Sequence, residues 1–237
     1  EAQKKGEERG ISSLWRSFEE DIGHPNESEM YDCADSLADT MPDIGIIDTM
    51  DAYWKNEYGF SEKLQEYVLE WLETVDTSSA QVRKDCFVNN QDDIFLSFNY
   101  TDTLERVYAI ERVLHIHGGV PSCCGDPPIM GHGNKYLISS NRAKAREHQE
   151  QFNEWAESIC NAIADYGESI YKDTDKIIAY HNDFFSSLHD VDQVVCLGLS
   201  FGDVDIPYLN RIKKEVQSST RWLVYYYGEE SHRRLKD

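Results

Sequence analysis

Basic residues are scarce in this chain of 237 residues: 23 Lys and Arg stand against 44 Asp and Glu, a formal net charge of −21. Nucleic-acid binding rests chiefly on cations that neutralise phosphates, so DNA, RNA and anionic membrane surfaces are not expected partners. Arg142, Lys144 and Arg146 form a single compact basic group, which reads as a solvated helix start. Long apolar runs are missing too. None approaches the roughly 20 residues that cross a bilayer, and no signal peptide precedes the first helix, which predicts a soluble, cytoplasmic chain without a membrane partner. Cysteine is sparse and irregular. Cys33, Cys86, Cys123, Cys124, Cys160 and Cys196 contain no C-x-x-C pair, so reduced thiols are expected in place of a disulfide framework. The glycosylation sequons at Asn26 and Asn99 carry little weight without a secretion signal. The chain opens at Glu1 and stops at Asp237 in a charged, helix-like stretch, so both ends read as cut.

What is present is ample core material, 40% apolar and 12% aromatic. At this length that predicts one large domain or one domain with an insertion. The first ninety residues read as helical. Leu14, Trp15, Phe18 and Ile22 recur at three-to-four spacing, as do Leu64, Val68, Trp71, Leu72 and Val75. Between them, residues 23–60 carry Pro25, Pro42 and many acids, and read as loop with short helices.

From residue 93 the pattern changes. Ile94–Phe98, Val113–His117, Val194–Gly198 and Trp222–Tyr227 are short apolar runs of the kind that form strands buried on both faces. Phe152, Trp155, Ile159, Ile163, Tyr166 and Ile170 make one helical stripe, and Ile206, Leu209, Ile212 and Val216 another. Strands separated by helices predict an α/β, Rossmann-like, doubly wound and mostly parallel sheet. Residues 1–90 would form a helical N-terminal part and 91–237 the core, with a helical insertion at about 141–190.

In such sheets ligands sit outside the carboxyl ends of strands. Three predicted strand ends are polar and Gly-rich: Asn99-Tyr100-Thr101-Asp102, His117-Gly118-Gly119, and Gly198 to Asp205. An Asn can hold a ribose hydroxyl or a water without adding charge, and a neighbouring His can act as general base near neutral pH. A Gly-x-Ser turn at Gly198 and Ser200 offers backbone N–H groups to a phosphate. Asp203 or Asp205 would orient a hydroxyl or cap the following helix, and Asp102 can cap a helix with Glu105 three residues on. His115, two residues before His117 on the same strand face, reads as support, while His132 lies between two glycines.

Phe98-Asn99-Tyr100-Thr101 with Thr103-Leu104-Glu105, Ile116-His117-Gly118, Gly131-His132-Gly133, and Gly198-Leu199-Ser200 with Asp203 and Asp205 resemble the bacteriophage abortive infection AbiH family, which belongs with sirtuin-like domains. The resemblance covers about residues 90–228. It implies that Asn99 matches the sirtuin asparagine, His117 the catalytic histidine, and Gly198 with Ser200 the phosphate-side turn. Thr101 stands where sirtuins have an aspartate, with Asp102 adjacent, and the zinc ribbon of the deacetylases has no counterpart here. The resemblance therefore implies an NAD-consuming or nucleotide-sensing defence protein, with Asn99 and His117 catalytic. Tyr100, Thr101, Asp102, Gly118, Gly198, Ser200, Asp203 and Asp205 would hold NAD as substrate. No metal is expected, and a phage or host protein would serve as trigger, with an oligomer open.

Three alternatives stand beside it. Gly198-Leu199-Ser200-Phe201-Gly202 matches the nucleophile elbow of serine hydrolases, with His117-Gly118-Gly119 resembling an oxyanion loop. Only His232 and a few acids follow Ser200, whereas that fold needs its acid and histidine there. His115, His117, Cys123, Cys124 and His132 fall close enough in sequence to suggest zinc, at spacings of no known finger. A pocket that binds a nucleotide or a protein partner without cleaving it is the third.

Overall fold

The computed structural model describes residues 18–19, 21–40, 46–82, 92–199 and 201–225. They group into two compact units, one drawn from Glu1–Leu64 and Gly131–Lys172, the other from Gln65–Met130 and Asp173–Asp237. The first is helical. Helices α1 (Glu27–Thr40) and α2 (Ile46–Tyr58) occupy the stretch expected to be mainly loop. Pro25 precedes α1 and Pro42 falls between the helices in sequence, so neither proline interrupts one. Helices α5 (Lys135–Glu150) and α6 (Glu154–Ser169) form an antiparallel hairpin. Both start with a capping asparagine: Asn134 accepts from the Leu137 amide, and Asn153 from that of Ala156. A Cβ on Gly167 would stand 3.0 Å from Ile138 and 3.3 Å from Leu137, so glycine lets the two helices approach. Met30, Ala34, Met50, Trp54, Leu137, Ile159 and Ile163 make the core. Of the predicted stripe, Ile159, Ile163, Tyr166 and Ile170 are buried, but Phe152 is 92% exposed. Phe152 sits in the hairpin turn at φ 56°, past the end of α5.

The second unit contains α3 (Leu64–Glu73, whose first residue belongs to the other unit), β1 (Phe95–Ser97), α4 (Thr103–Tyr108) and β2 (Val113–His115). It continues through α7 (Thr174–Tyr180), α8 (Asn182–Ser186), β3 (Gln193–Leu197), α9 (Ile206–Glu215) and β4 (Arg221–Tyr225). Strands β1 and β2 pair in parallel, Ser97 opposite His115, and β3 and β4 pair in parallel, Val195 opposite Leu223. Leu14, Trp15, Tyr226 and Tyr227 lie outside the described residues.

The strands fall near their expected places and run parallel, but the Rossmann-like doubly wound sheet is not there. Among the described residues the ladders form two separate two-stranded sheets in a helix-rich chain. The reason is local. Three residues of strand give a ladder only about 10 Å long. Beyond Ser97 the chain turns on its own side chain, the Asn99 amide donating to Ser97 Oγ at 3.2 Å. Beyond His115 it closes on itself, the Gly118 amide donating to the His115 carbonyl at 3.0 Å. Burial on both faces fails as well. Val194 and Trp222 pack onto the cluster of Ile116, Phe185, Leu188, Tyr208, Ile212 and Val216, while Val195 (45%) and Leu197 (42%) on the opposite face are exposed.

Candidate functional site

The predicted site residues all belong to the second unit. The end of β1, the end of β2 and the start of α9 meet around His117. Its ring lies 5.6 Å from Phe98 and 5.2 Å from Tyr208, both in edge contacts, and 6.3 Å from Tyr100. Phe98 and Tyr208 also touch each other, at 5.7 Å. His117 is 2% exposed. The Tyr100 hydroxyl donates to the Ile129 carbonyl at 3.1 Å, and the Ile129 amide donates to the His117 carbonyl at 2.8 Å. The loop after β2 is thus bonded to both predicted strand ends.

Asn99 differs from His117 in being exposed. Its main chain is pinned. The amide donates to Ser97 Oγ, and the carbonyl accepts from Ser97 Oγ at 3.3 Å and from His115 Nδ1 at 2.9 Å. Thr101 pairs its hydroxyl with that of Thr103 at 3.0 Å. Asp102 stands at the N-terminus of α4, yet its side chain makes no capping bond there. The carboxylate instead accepts from Thr77 and Ser122, each at 2.8 Å, with the Arg106 guanidinium 3.6 Å away. Burial works to raise its pKa. The two hydroxyl bonds and the Arg106 charge outweigh that and hold the carboxyl below its ordinary range. Thr77, Thr101, Asp102, Arg106 and Ser122 line a cavity of about 250 Å³.

Gly118 has φ 66°, and a Cβ there would stand 2.1 Å from the Pro127 carbonyl oxygen, so close backbone packing alone demands glycine. Gly198 has φ 68° with nothing within 4 Å of its would-be Cβ. Phe201 follows at φ 56° and is buried. Gly198 and Phe201, one of them not a glycine, are thus both left-handed between β3 and α9. Asp205 occupies the N-cap of α9 without a side-chain capping bond, its amide donating to the Gly202 carbonyl at 2.8 Å. Asp203 is exposed, and Ser200 lies outside the described residues.

Sequence reasoning named Phe98 only as part of a strand and a motif, and passed over Tyr208, Thr77 and Ser122. The two rings were readable as apolar residues beside polar turns. The two hydroxyls had no local signal, being 25 and 20 positions from Asp102. Among the described residues no three His, Cys, Asp or Glu side chains gather so as to hold a metal ion. Burial, with Cys124 beside it, pushes the Cys123 thiol up to about 12, so it stays protonated. His132, in the other unit, is a bonded core residue. Its Nε2 donates to the Gly167 carbonyl at 3.1 Å, its Nδ1 accepts from the Asn134 amide at 3.0 Å, and burial lowers its pKa. A larger cavity of about 790 Å³ lies in that unit, bordered by Trp54, Tyr58, Arg142 and Tyr166, and no predicted site residue lines it.

No helix of the described residues is long and apolar enough to cross a membrane. No curated protein and no solved structure matches the chain. The family model described as bacteriophage abortive infection AbiH matches residues 1–226, nearly the whole length, and the chain belongs to that family.

Proposed function

We propose that this abortive-infection protein acts by hydrolysing NAD to nicotinamide and ADP-ribose. Water would add to C1′ of the ribose that carries nicotinamide. The bond from C1′ to the nicotinamide nitrogen would break, its electron pair leaving with nicotinamide, and one proton would be released. His117 would take the proton from that water or from a ribose hydroxyl, and the Asn99 side chain would position the attacked group. Backbone N–H groups of the turn from Gly198 through Ser200 would hold the pyrophosphate. Tyr100, Thr101, Asp102, Gly118, Asp203 and Asp205 would shape the surroundings. Loss of NAD in the cytoplasm would stall the infected host. A phage or host protein would release the activity.

The observation that carries this reading is the His117 ring, seated against Phe98 and Tyr100 from one strand end and Tyr208 from the helix after another. The left-handed Gly198 adds support, because it leaves open space where a ligand could approach the backbone. The test is to incubate the protein with NAD and measure free nicotinamide, alongside Asn99→Ala and His117→Ala. Release from the parent chain that both substitutions abolish, with unchanged thermal midpoints, is the expected result. Full activity in both variants would overturn the mechanism. No release, with labelling of Ser200 by a serine-reactive probe, would replace it with the hydrolase.

A further inference from the structure

Two residues that border the strand-end cluster, His115 and Glu105, take no part in the mechanism just proposed. We infer that His115 and Glu105 form a proton-sharing positioning pair that sets the orientation of Asn99; the inference rests on the role proposed for Asn99. The His115 side chain is wholly buried. Its Nδ1 lies 2.9 Å from the Asn99 carbonyl oxygen and its Nε2 2.7 Å from Glu105 Oε1. A backbone carbonyl only accepts, so Nδ1 must carry a proton and donate it. A neutral imidazole then has no proton left for Nε2, and a carboxylate oxygen at 2.7 Å requires one. The pair therefore holds a second proton on the line from Nε2 to Oε1, as a charge-assisted bond.

This places three elements behind one residue: β2 through His115, α4 through Glu105, and β1 through Ser97, which faces His115 across the ladder. Ser97 and His115 hold the main chain of Asn99 from both sides while its side chain stays exposed. A reacting amide gains most when its support fixes it before substrate arrives. Both thiols near Glu105, Cys123 and Cys124, have raised pKa values, for which burial is the largest cause, so neither adds an anion beside the pair.

The experiment uses the full chain labelled with ¹⁵N at histidine and asparagine, as the parent and as Glu105→Gln and Glu105→Asp. In the parent a proton shared between His115 Nε2 and Glu105 Oε1 gives a downfield resonance coupled to the ring nitrogen. Glu105→Gln removes that shared proton and broadens or shifts the Asn99 side-chain amide resonance. It lowers kcat for nicotinamide release about 100-fold, the order of loss a misplacement of about 1 Å produces. KM stays within about twofold, as for an interaction made only in the transition state. Glu105→Asp recovers part of both signals, and decides the matter if Glu105→Gln does not fold. A parent that lacks this shared proton overturns the inference, as does a folded Glu105→Gln with the Asn99 amide and kcat unchanged. If the parent releases no nicotinamide, the NAD reading falls, while the shared proton and the Asn99 amide still decide this one.

Discussion

At the scale of single residues, Asp102 separates place from role. Its position at the start of α4 was legible, since an acid there after a strand-end turn is a helix-cap signal. Its role was not, because the hydroxyls of Thr77 and Ser122 arrive from distant segments and take the carboxylate away from the helix amides. Removing it leaves those hydroxyls without their acceptor, so Asp102→Ala is expected to cost about 1–3 kcal/mol in urea unfolding. The pH dependence has a definite sign. The Asp102 pKa is lowered in the folded state, so its contribution is complete above the unfolded carboxylate value of about 3.9 and is lost as pH falls through the lower folded value. His132, whose pKa burial lowers, also binds protons more readily when unfolded, so it costs stability as pH falls below about 6.5. Urea midpoints across this range should decline in two stages, and Asp102→Asn should flatten the acid stage alone. An unchanged acid limb in Asp102→Asn would mean that other carboxylates carry it.

At the scale of elements, the two left-handed glycines predict opposite behaviour. Gly118→Ala forces a Cβ to within 2.1 Å of a backbone oxygen, on top of an unfavourable φ, and the loop from Gly118 to Asp126 must move. It should lose at least about 3 kcal/mol, beyond the 1–2 kcal/mol that a left-handed conformation alone costs an alanine. Gly198→Ala meets no atom within 4 Å and should lose only that smaller amount. Denaturant midpoints of the two variants check the contrast, and equal losses would refute it. The strands show what a sequence pattern can and cannot say. Val194-Val195-Cys196-Leu197 is apolar throughout, which marks a strand but not whether both of its faces will be covered. Only the fold decides that Val194 is packed while Val195 and Leu197 face outward. For α1 and α2 the reading of loop with short helices understated the helices, which run 14 and 13 residues. Their acids hid helices held by Met30, Ala34, Met50 and Trp54, because tertiary packing of a narrow stripe outweighs weak periodicity.

At the scale of the whole molecule, a charge of −21 bears on stability and, under the proposed NAD hydrolysis, on how NAD would reach its site. Like charges repel most in the compact state, so salt should stabilise this fold. The opposing effect is the screening of favourable pairs, such as Arg142 with Asp165 and Glu168, which are partly exposed and worth little individually. Going from about 20 mM to about 500 mM NaCl shortens the screening length from roughly 20 Å to about 4 Å, enough to quench repulsion between separated acids. The thermal midpoint should therefore rise. NAD carries a net negative charge, so the same field should slow its approach, and KM for NAD should fall over this range of salt. Binding to a basic site behaves oppositely, because salt then competes with the ligand's phosphates. A KM that rises with salt would show that cations dominate the site. Arg106, in α4 beside Asp102, would then be the first residue to substitute.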